Sequence, residues 1–246
     1  MDLTIIGAGS MGMALAEGLK REHNIEFVVR DVLKYRELNS SYRFSPLENF
    51  NIENRTIILA IKPYALLDIK SKLMGKAKSL YSLLAGTPIS SLKEAIESEY
   101  YIRAMPNISA KFKKSTTTIT GDTQKRDEAL ELFSLIGDVF WTNSEKEIDI
   151  STAVAGSGPA LLAVVAEALA DGLVREGLNR DLALNITSSL FNGFAPLIDN
   201  IHPALIKDSV MSPAGTTARA YYILEERGVR GAFIKAVEEA YKILKR

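Results

Sequence analysis

The chain has 246 residues, a length that fits one large domain or two modest ones. Its residues are 47% hydrophobic and 24% charged, which is the balance of an ordinary globular protein. Its 30 basic and 30 acidic residues give a net charge near zero, which argues against a nucleic-acid-binding protein, because such proteins usually carry a basic patch. The absence of cysteine excludes disulfides, thiolate catalysis and cysteine-ligated metals. With only two histidines, we expect neither a histidine-based metal site nor a histidine-anchored triad.

Apolar runs of strand length alternate with helix-like segments along the first half of the chain. The run Thr56–Ile61 is almost continuously apolar, as a central parallel strand should be. Helices are predicted at about 11–21 and 125–135. This alternation predicts an α/β fold with a mostly parallel sheet that is covered on both faces. The predicted strands are Leu3–Ile6, Phe27–Val29, Thr56–Ile61, Leu80–Leu84, Tyr100–Arg103, Thr116–Thr120 and Val139–Trp141.

From about Asp149 onward, strand-like runs give way to helical periodicity, so we predict two domains, 1–148 and 149–246. A helix over 160–174 is expected to start with Ser157 as its cap and Pro159 in its first turn. This segment is apolar almost all round, which predicts burial on most sides, with a second subunit as one candidate cover. Further helices are predicted at 180–199, 213–227 and 230–245, with a loop at His202–Pro203.

No segment predicts a signal peptide or a membrane span. The first apolar run, Leu3–Ile6, has strand length and no basic leader. The longest uncharged stretch, Ile150–Ala166, is interrupted by glycines and a proline, and is too short to cross a bilayer. We therefore expect a cytoplasmic protein that binds neither membranes nor nucleic acids.

A glycine-rich turn follows the first predicted strand and opens a helix. The sequence Gly7-Ala8-Gly9-Ser10-Met11-Gly12 has the spacing G-x-G-x-x-G. In this motif the first glycine allows a tight turn, the second lets the backbone approach a pyrophosphate, and the third allows close helix–strand packing. The helix N-terminus then presents N–H groups to the phosphates. These residues predict a dinucleotide site formed by Gly7, Gly9, Ser10, Met11 and Gly12.

Other predicted cofactor contacts lie at later strand ends. Asp31, 22 residues after Gly9, could bind a ribose 2′-hydroxyl, whereas Arg30 beside it could bind a 2′-phosphate. We favour NADP over NAD. Because carboxyl ends of parallel strands face the cofactor crevice, we also assign it the residues at two further strand ends. These are Ala60, Ile61, Lys62 and Pro63, and Ala85 and Gly86.

Six motifs, in this order and over nearly the whole length, resemble the pyrroline-5-carboxylate reductase family. They are Gly-Ala-Gly-Ser-Met-Gly (7–12), Ala-Ile-Lys-Pro (60–63), Ala-Gly (85–86), Arg-Ala-Met-Pro-Asn (103–107), Gly-Ser-Gly-Pro-Ala (156–160) and Ser-Pro-Ala-Gly-Thr-Thr (212–217). The resemblance implies a Rossmann domain followed by an all-α dimerisation domain, in a homodimer or a larger homo-oligomer built on dimers. It also implies reduction of 1-pyrroline-5-carboxylate to L-proline with NADPH or NADH. No metal is required, because a protonated imine is already a good electrophile.

The resemblance also implies roles for individual residues. Thr217 matches the position whose hydroxyl binds the substrate ring nitrogen, as an orienting group or a proton relay. Ser212, Gly215 and Thr216 resemble a cradle for the substrate carboxylate, although Ser212-Pro213 is also an ordinary helix-cap signature. Two further positions match: Glu145, an acid near the substrate amine, and Ser209, a cofactor contact from the partner subunit.

Three departures from the family pattern stand out. Ala214 replaces a glycine, which is expected to reshape the loop slightly because alanine disfavours positive φ. Asp199-Asn200 occupies a region where many members have glutamate, which puts the substrate contact there in doubt. The segment between the second predicted strand and Thr56 is shorter than in the family pattern, so we do not assign the family's cofactor contacts to its residues.

Two other functions are compatible with the glycine-rich turn. β-Hydroxyacid dehydrogenases and ketopantoate reductases share the two-domain plan but use a lysine on the first helix of the second domain, and residues 156–174 contain no lysine. A non-catalytic NAD(P)-binding regulatory protein would not need Thr217 and its neighbours. Their presence favours catalysis.

Overall fold

The structure, a computed structural model, describes residues 1–38 and 41–244. The strands of this part of the chain are β1 Asp2–Ile6, β2 Asn24–Val29, β3 Arg43–Pro46, β4 Phe50–Asn51, β5 Thr56–Leu59, β6 Leu73–Met74, β7 Ala77–Ser82, β8 Ser98–Met105, β9 Ser115–Gly121 and β10 Gly137–Trp141. Its α-helices are α1 Ser10–Leu19, α2 Val32–Leu38, α3 Leu66–Lys70, α4 Ile89–Ala95, α5 Arg126–Ser134, α6 Glu145–Ala155, α7 Gly158–Arg175, α8 Arg180–Asn200, α9 Pro203–Ser209, α10 Thr216–Glu226 and α11 Val229–Leu244.

The chain divides into two compact units. One contains Met1–Pro159 and the C-terminal residues from Ala240, and the other contains Ala160–Glu239. The domain boundary after residue 148 stays a prediction.

The first unit is built on an eight-stranded sheet with the order β10-β9-β8-β7-β5-β1-β2-β3. Its neighbouring strands are parallel except for β8 and β9, which are antiparallel. Strand order reverses between β1 and β5, so this is the switch point at which a Rossmann-type sheet opens its ligand crevice. The predicted α/β class with a mostly parallel Rossmann-type sheet is confirmed.

Two hydrophobic cores cover the two faces of the sheet. Ile58 of β5 belongs to the core that contains Leu15 and Phe133, from α1 and α5. Its neighbour Ile57 belongs to the other core, which contains Leu92 of α4. Both isoleucines are fully buried, as an apolar run in a central parallel strand requires.

The second unit is helical and carries many apolar side chains on its surface. Leu162, Val164 and Leu169 of α7 are 54%, 63% and 44% exposed, so the described residues do not give this helix the burial on most sides that the sequence predicted. The stretch Glu145–Arg175, which contains α6 and α7, is long and apolar enough to cross a membrane by length and composition alone. It is longer than the uncharged stretch Ile150–Ala166 considered from the sequence. Only 17% of its most apolar part is buried in this chain.

Several element ends differ from prediction. Pro203, placed in a loop, begins α9, and His202 Nδ1 accepts a hydrogen bond from the Ala204 N–H at 3.3 Å. Proline is suited to this first helical position because the N–H it lacks would have no helical partner. Helix α7 begins at Gly158, directly after Ser157 and with Pro159 in its first turn, as predicted. The Ser157 N–H donates to Thr152 O, and the capping role of its side chain stays a prediction. Helix α10 starts at Thr216 rather than 213.

Candidate functional site

A groove of about 790 Å³ runs along the carboxyl edge of the sheet, over the ends of β2, β1, β5, β7 and β8. It therefore crosses the switch point where ligands of such sheets bind. Ten of the predicted cofactor residues line it together, although they come from four separate stretches of sequence. They are Gly7, Gly9, Ser10, Met11, Arg30, Ala60, Ile61, Lys62, Pro63 and Ala85.

Each of the three motif glycines is explained by a different feature of its surroundings. Gly7 has φ +105°, and a Cβ there would lie 2.7 Å from the Ala60 carbonyl oxygen. A Cβ on Gly12 would lie 2.3 Å from the Gly7 carbonyl oxygen, so α1 packs against the turn backbone. A Cβ on Gly9 would meet nothing within 4 Å among the described residues. The space above Gly9 is thus free for a ligand.

The N-terminus of α1 fits a phosphate group. Gly9 is its N-cap residue, and no side chain of the described residues caps its first turn. The first N–H groups of a helix have no partner within the helix, and they carry the positive end of its dipole. An open, uncapped helix start above a glycine is the arrangement that a pyrophosphate uses.

At the β2 end of the groove, the two candidate selectivity residues have different partners. Asp31 Oδ1 accepts a hydrogen bond from the Lys34 N–H at 3.0 Å and so caps α2. Arg30 Nη2 lies 3.5 Å from Asp68 Oδ2, in a pair that is about 60% exposed on both sides. Lys34 and Tyr35 also line this end. Sequence reasoning missed both because it did not predict α2, although Asp31 three residues before Lys34 is a cap signal.

The β7 and β8 ends complete the far side of the groove. Leu83 and Ala85 line it after β7, and Met105 and Pro106 line it after β8. The last two belong to a motif quoted above but were not predicted as cofactor contacts. Gly86 is not among the lining residues, and its φ of +62° is what requires glycine there.

Glu145 is held by two groups in the structure. It is the first residue of α6, and its Oε1 accepts a hydrogen bond from the Ile89 N–H at 2.8 Å. The same oxygen accepts one from Arg103 Nη1 at 3.1 Å. The carboxylate therefore joins α6 to the start of α4 and to β8.

In the second unit, Ser212–Thr217 forms an exposed turn before α10. Gly215, not Ser212, is the N-cap residue of α10, and no described side chain caps the helix. A Cβ on Gly215 would lie 2.3 Å from Ser212 Oγ and 3.1 Å from the Ser212 carbonyl oxygen, so a side chain at 215 would displace this hydroxyl. Ala214 has φ +57°, the left-handed conformation that favours glycine. The helix-cap interpretation of Ser212 is therefore wrong, and the first N–H groups of α10 stay available.

Ser209 lies in the last turn of α9. Its hydroxyl donates to Ile206 O at 2.8 Å. Its predicted contact with the cofactor of a partner subunit stays a prediction.

Family models match both parts of the chain. Residues 145–246 match the model described as pyrroline-5-carboxylate reductase dimerisation. Residues 2–86 match the model described as NADP oxidoreductase coenzyme F420-dependent. The exposed apolar helices thus lie in a region that resembles a dimerisation domain.

Full-length relatives and solved structures agree with these matches. The pyrroline-5-carboxylate reductase of Helicobacter pylori strain J99 is 34% identical over 98% of this chain and 97% of that protein. The crystal structure of 1-pyrroline-5-carboxylate reductase from Streptococcus pyogenes is 26% identical, with a TM-score of 0.89 over 100% of this chain and 98% of that one. The Plasmodium falciparum pyrroline carboxylate reductase with NADP bound is also 26% identical, with a TM-score of 0.84 over the same shares.

Proposed function

This chain belongs to the pyrroline-5-carboxylate reductase family, and we propose that it uses NADPH or NADH to reduce 1-pyrroline-5-carboxylate to L-proline, the last step of proline biosynthesis. It is an NAD(P)-dependent oxidoreductase acting on the CH–NH group. The observation that carries this conclusion is the groove over the switch point, lined by ten residues that the family motifs and strand ends had predicted. Relatives with this activity match it over nearly its whole length.

The groove residues fit a nicotinamide dinucleotide. The pyrophosphate would lie above Gly9 and bind the free N–H groups of Ser10 and Met11 at the start of α1. Lys62, exposed at the end of β5, would reach a phosphate or a ribose hydroxyl. The adenosine would then lie at the β2 end and the nicotinamide at the β7 and β8 end.

NADPH is the favoured cofactor in this proposal, and NADH is a second possibility. Asp31 already uses its Oδ1 to cap α2, whereas Arg30 and Lys34 offer two cations at the same end of the groove. Arginine binds phosphate through several planar donors, so these two side chains suit a 2′-phosphate better than a hydroxyl.

Reduction of the imine depends more on binding and orienting the two reactants than on general acid–base catalysis. Reduced nicotinamide, when bound, supplies the hydride. The Thr217 hydroxyl would hydrogen-bond the ring nitrogen and hold the imine in line, and such orientation contributes several kcal/mol. Ser212, Gly215 and Thr216 would hold the substrate carboxylate at the uncapped start of α10, where the helix dipole favours an anion.

The remaining expectations concern assembly and location. We propose a homodimer, or a larger assembly of dimers, formed through the apolar helices of the region that matches the dimerisation model. Ser209 would contact the cofactor bound by the partner subunit. We expect the protein in the cytoplasm, without nucleic-acid or membrane partners. The substrate contact of Glu145 stays a prediction, and its contacts in the structure suggest another role.

The test is an initial-rate assay with 1-pyrroline-5-carboxylate, run with NADPH and with NADH, that identifies the product. Nicotinamide oxidation with L-proline as the product is the expected result. A folded protein that binds NADPH but does not oxidise it with this imine would overturn the proposed substrate.

A further inference from the structure

Arg103 is a buried charge in the middle of the sheet. It is 1% exposed on β8, between Ser82 of β7 and Thr120 of β9. A buried guanidinium is costly unless its charge and its donors are satisfied. Two carboxylates on one face of α6 balance its charge: Nη1 donates to Glu145 at 3.1 Å, and Nη2 donates to Asp149 at 2.5 Å. The buried Nε has no hydrogen-bond partner among the described residues.

Glu145 connects Arg103 to the start of α4, directly after loop 83–88. The oxygen that accepts from Arg103 also accepts from the Ile89 N–H, the first N–H of α4. No side chain caps α4 from its own N-cap residue, Pro88. Glu145 therefore supplies the missing cap of α4 from a position 56 residues away. Its negative charge lies at the N-termini of both α4 and α6, where the helix dipoles stabilise it.

The segments joined by Glu145 line the same end of the groove. Loop 83–88 connects β7 to α4 and contributes Leu83 and Ala85 to the lining. Two residues beyond Arg103, β8 contributes Met105. This is the end opposite Arg30, where the proposed function places the nicotinamide.

We infer that Glu145, anchored by Arg103 and Asp149, is a positioning residue that fixes loop 83–88 against the end of β8 and so sets the depth of the nicotinamide pocket. It acts through the Ile89 N–H and not through contact with the substrate. This inference rests on the proposed nicotinamide cofactor, but the binding experiment below requires no turnover.

The first test compares two ligands on Glu145→Ala and Glu145→Gln by titration calorimetry. NADPH fills the whole groove, whereas 2′-phospho-ADP-ribose lacks the nicotinamide. Glu145→Ala should weaken NADPH about tenfold and the fragment less than about twofold, since a charged hydrogen bond is lost at one end only. Glu145→Gln keeps an acceptor oxygen and should stay within about threefold of wild type for both ligands.

The fold should survive these changes because Asp149 still pairs with Arg103. Glu147→Ala is the matched control, since this carboxylate accepts from the Asn143 N–H in its own turn of the chain. It should leave the ratio of the two affinities unchanged. Equal weakening of both ligands by Glu145→Ala, or no weakening of NADPH, would overturn the inference.

A second pair of variants removes the donor instead of the acceptor. Ile89→Pro deletes the N–H at a helix position that tolerates proline, and Pro88 already has the extended backbone that must precede it. Ile89→Val trims the side chain and keeps the N–H. The inference expects the selective loss of NADPH affinity with Ile89→Pro alone, and the same loss with both variants would contradict it.

Turnover separates this role from the predicted substrate contact. If Glu145 is a positioning residue, Glu145→Ala should lower kcat and leave the KM for the imine within about twofold. Glu145→Gln should restore kcat. If the charge of Glu145 met the substrate, glutamine would be as impaired as alanine and the KM would rise. Wild-type protein that binds NADPH without reducing the imine would overturn the proposed function and leave the affinity comparison valid.

Discussion

The carbonyl oxygen of Gly7 lies 2.3 Å from the point where a Cβ on Gly12 would sit, so the turn and the first helix approach each other too closely for any side chain. A Cβ on Gly9, in contrast, would point into open space. Two glycines of one motif therefore serve different purposes, one for folding and one for binding.

We predict opposite phenotypes for alanine at these two glycines. Gly12→Ala should destabilise the protein by at least about 2 kcal/mol, seen as a Tm lower by several degrees, because a backbone oxygen must move. Gly9→Ala should leave Tm nearly unchanged, since its φ of −77° suits alanine, but weaken NADPH at least about tenfold. Thermal melts and calorimetric titration measure the two effects. A Gly9→Ala variant with full cofactor affinity would show that the pyrophosphate lies elsewhere.

Arg30→Gln should change cofactor preference more than activity. Without the guanidinium, the ratio of kcat/KM for NADPH to that for NADH should fall at least about tenfold, because a charge-assisted contact to the 2′-phosphate is lost. The value for NADH should stay within about twofold. Asp68→Asn is the informative companion, since it frees Arg30 from its 3.5 Å partner and should move the ratio slightly towards NADPH. An unchanged ratio in Arg30→Gln would assign 2′-phosphate recognition to other residues.

Seven of the ten described strands and the dinucleotide groove could be predicted from sequence because each depends on a local signal. The strands β3, β4 and β6 were missed, since two to four residues are too few to show one. Buried parallel strands leave apolar runs, and their carboxyl ends necessarily meet at one edge of the sheet. Helices α2, α3 and α4 were missed because five to seven residues are too few to show a helical period. Helix α6 did leave a signal, since Ser144 and Glu147 form an S-x-x-E capping pattern at its start.

The contacts of Glu145 could not be predicted from the sequence. They join an N–H 56 residues away and a buried arginine 42 residues away, and no local pattern records either distance. The exposed apolar helices show a related limit. Their composition predicts burial, but many of their apolar side chains are exposed among the residues that the structure describes.

Stability at acidic pH should depend on Glu128. Burial alone would raise the pKa of its carboxyl, but hydrogen bonds from Lys125 and Tyr81 outweigh burial and lower the pKa below its ordinary value of 4.5. The unfolded chain then binds the proton first, so the stabilisation is present at neutral pH and is lost as the pH falls below that value.

Glu128→Gln should therefore have a lower Tm than wild type at neutral pH. Between about pH 5 and pH 3, its Tm should fall less than that of the wild type. Thermal melts across this range test the prediction. Glu131→Gln, an exposed position on the same helix, controls for loss of charge. Identical pH slopes for Glu128→Gln and wild type would contradict the role of these bonds.

Ala214→Gly should stabilise the protein without changing substrate affinity. Ala214 already has the left-handed conformation, at a cost of about 1 kcal/mol, so glycine relieves strain but leaves the path of the loop as it is. Ala218→Gly in the first turn of α10 is the control, and it should lower Tm because glycine is unfavourable inside a helix. A several-fold lower KM for the imine in Ala214→Gly would show instead that alanine reshapes the loop.

Thr217→Ala should reduce kcat about 10- to 100-fold, because the imine loses the hydroxyl that orients its ring nitrogen. Cofactor affinity should change less than about twofold, since Thr217 is not among the proposed dinucleotide contacts, which are the groove residues of the first unit and Ser209. Thr217→Ser keeps the hydroxyl and should retain most activity, whereas Thr217→Val keeps the shape and should behave like alanine. Steady-state rates and NADPH titrations on the three variants separate the hydroxyl from the packing of the side chain. If valine turns over like wild type, the hydroxyl has no part in the reaction, and the orientation must come from the carboxylate cradle alone.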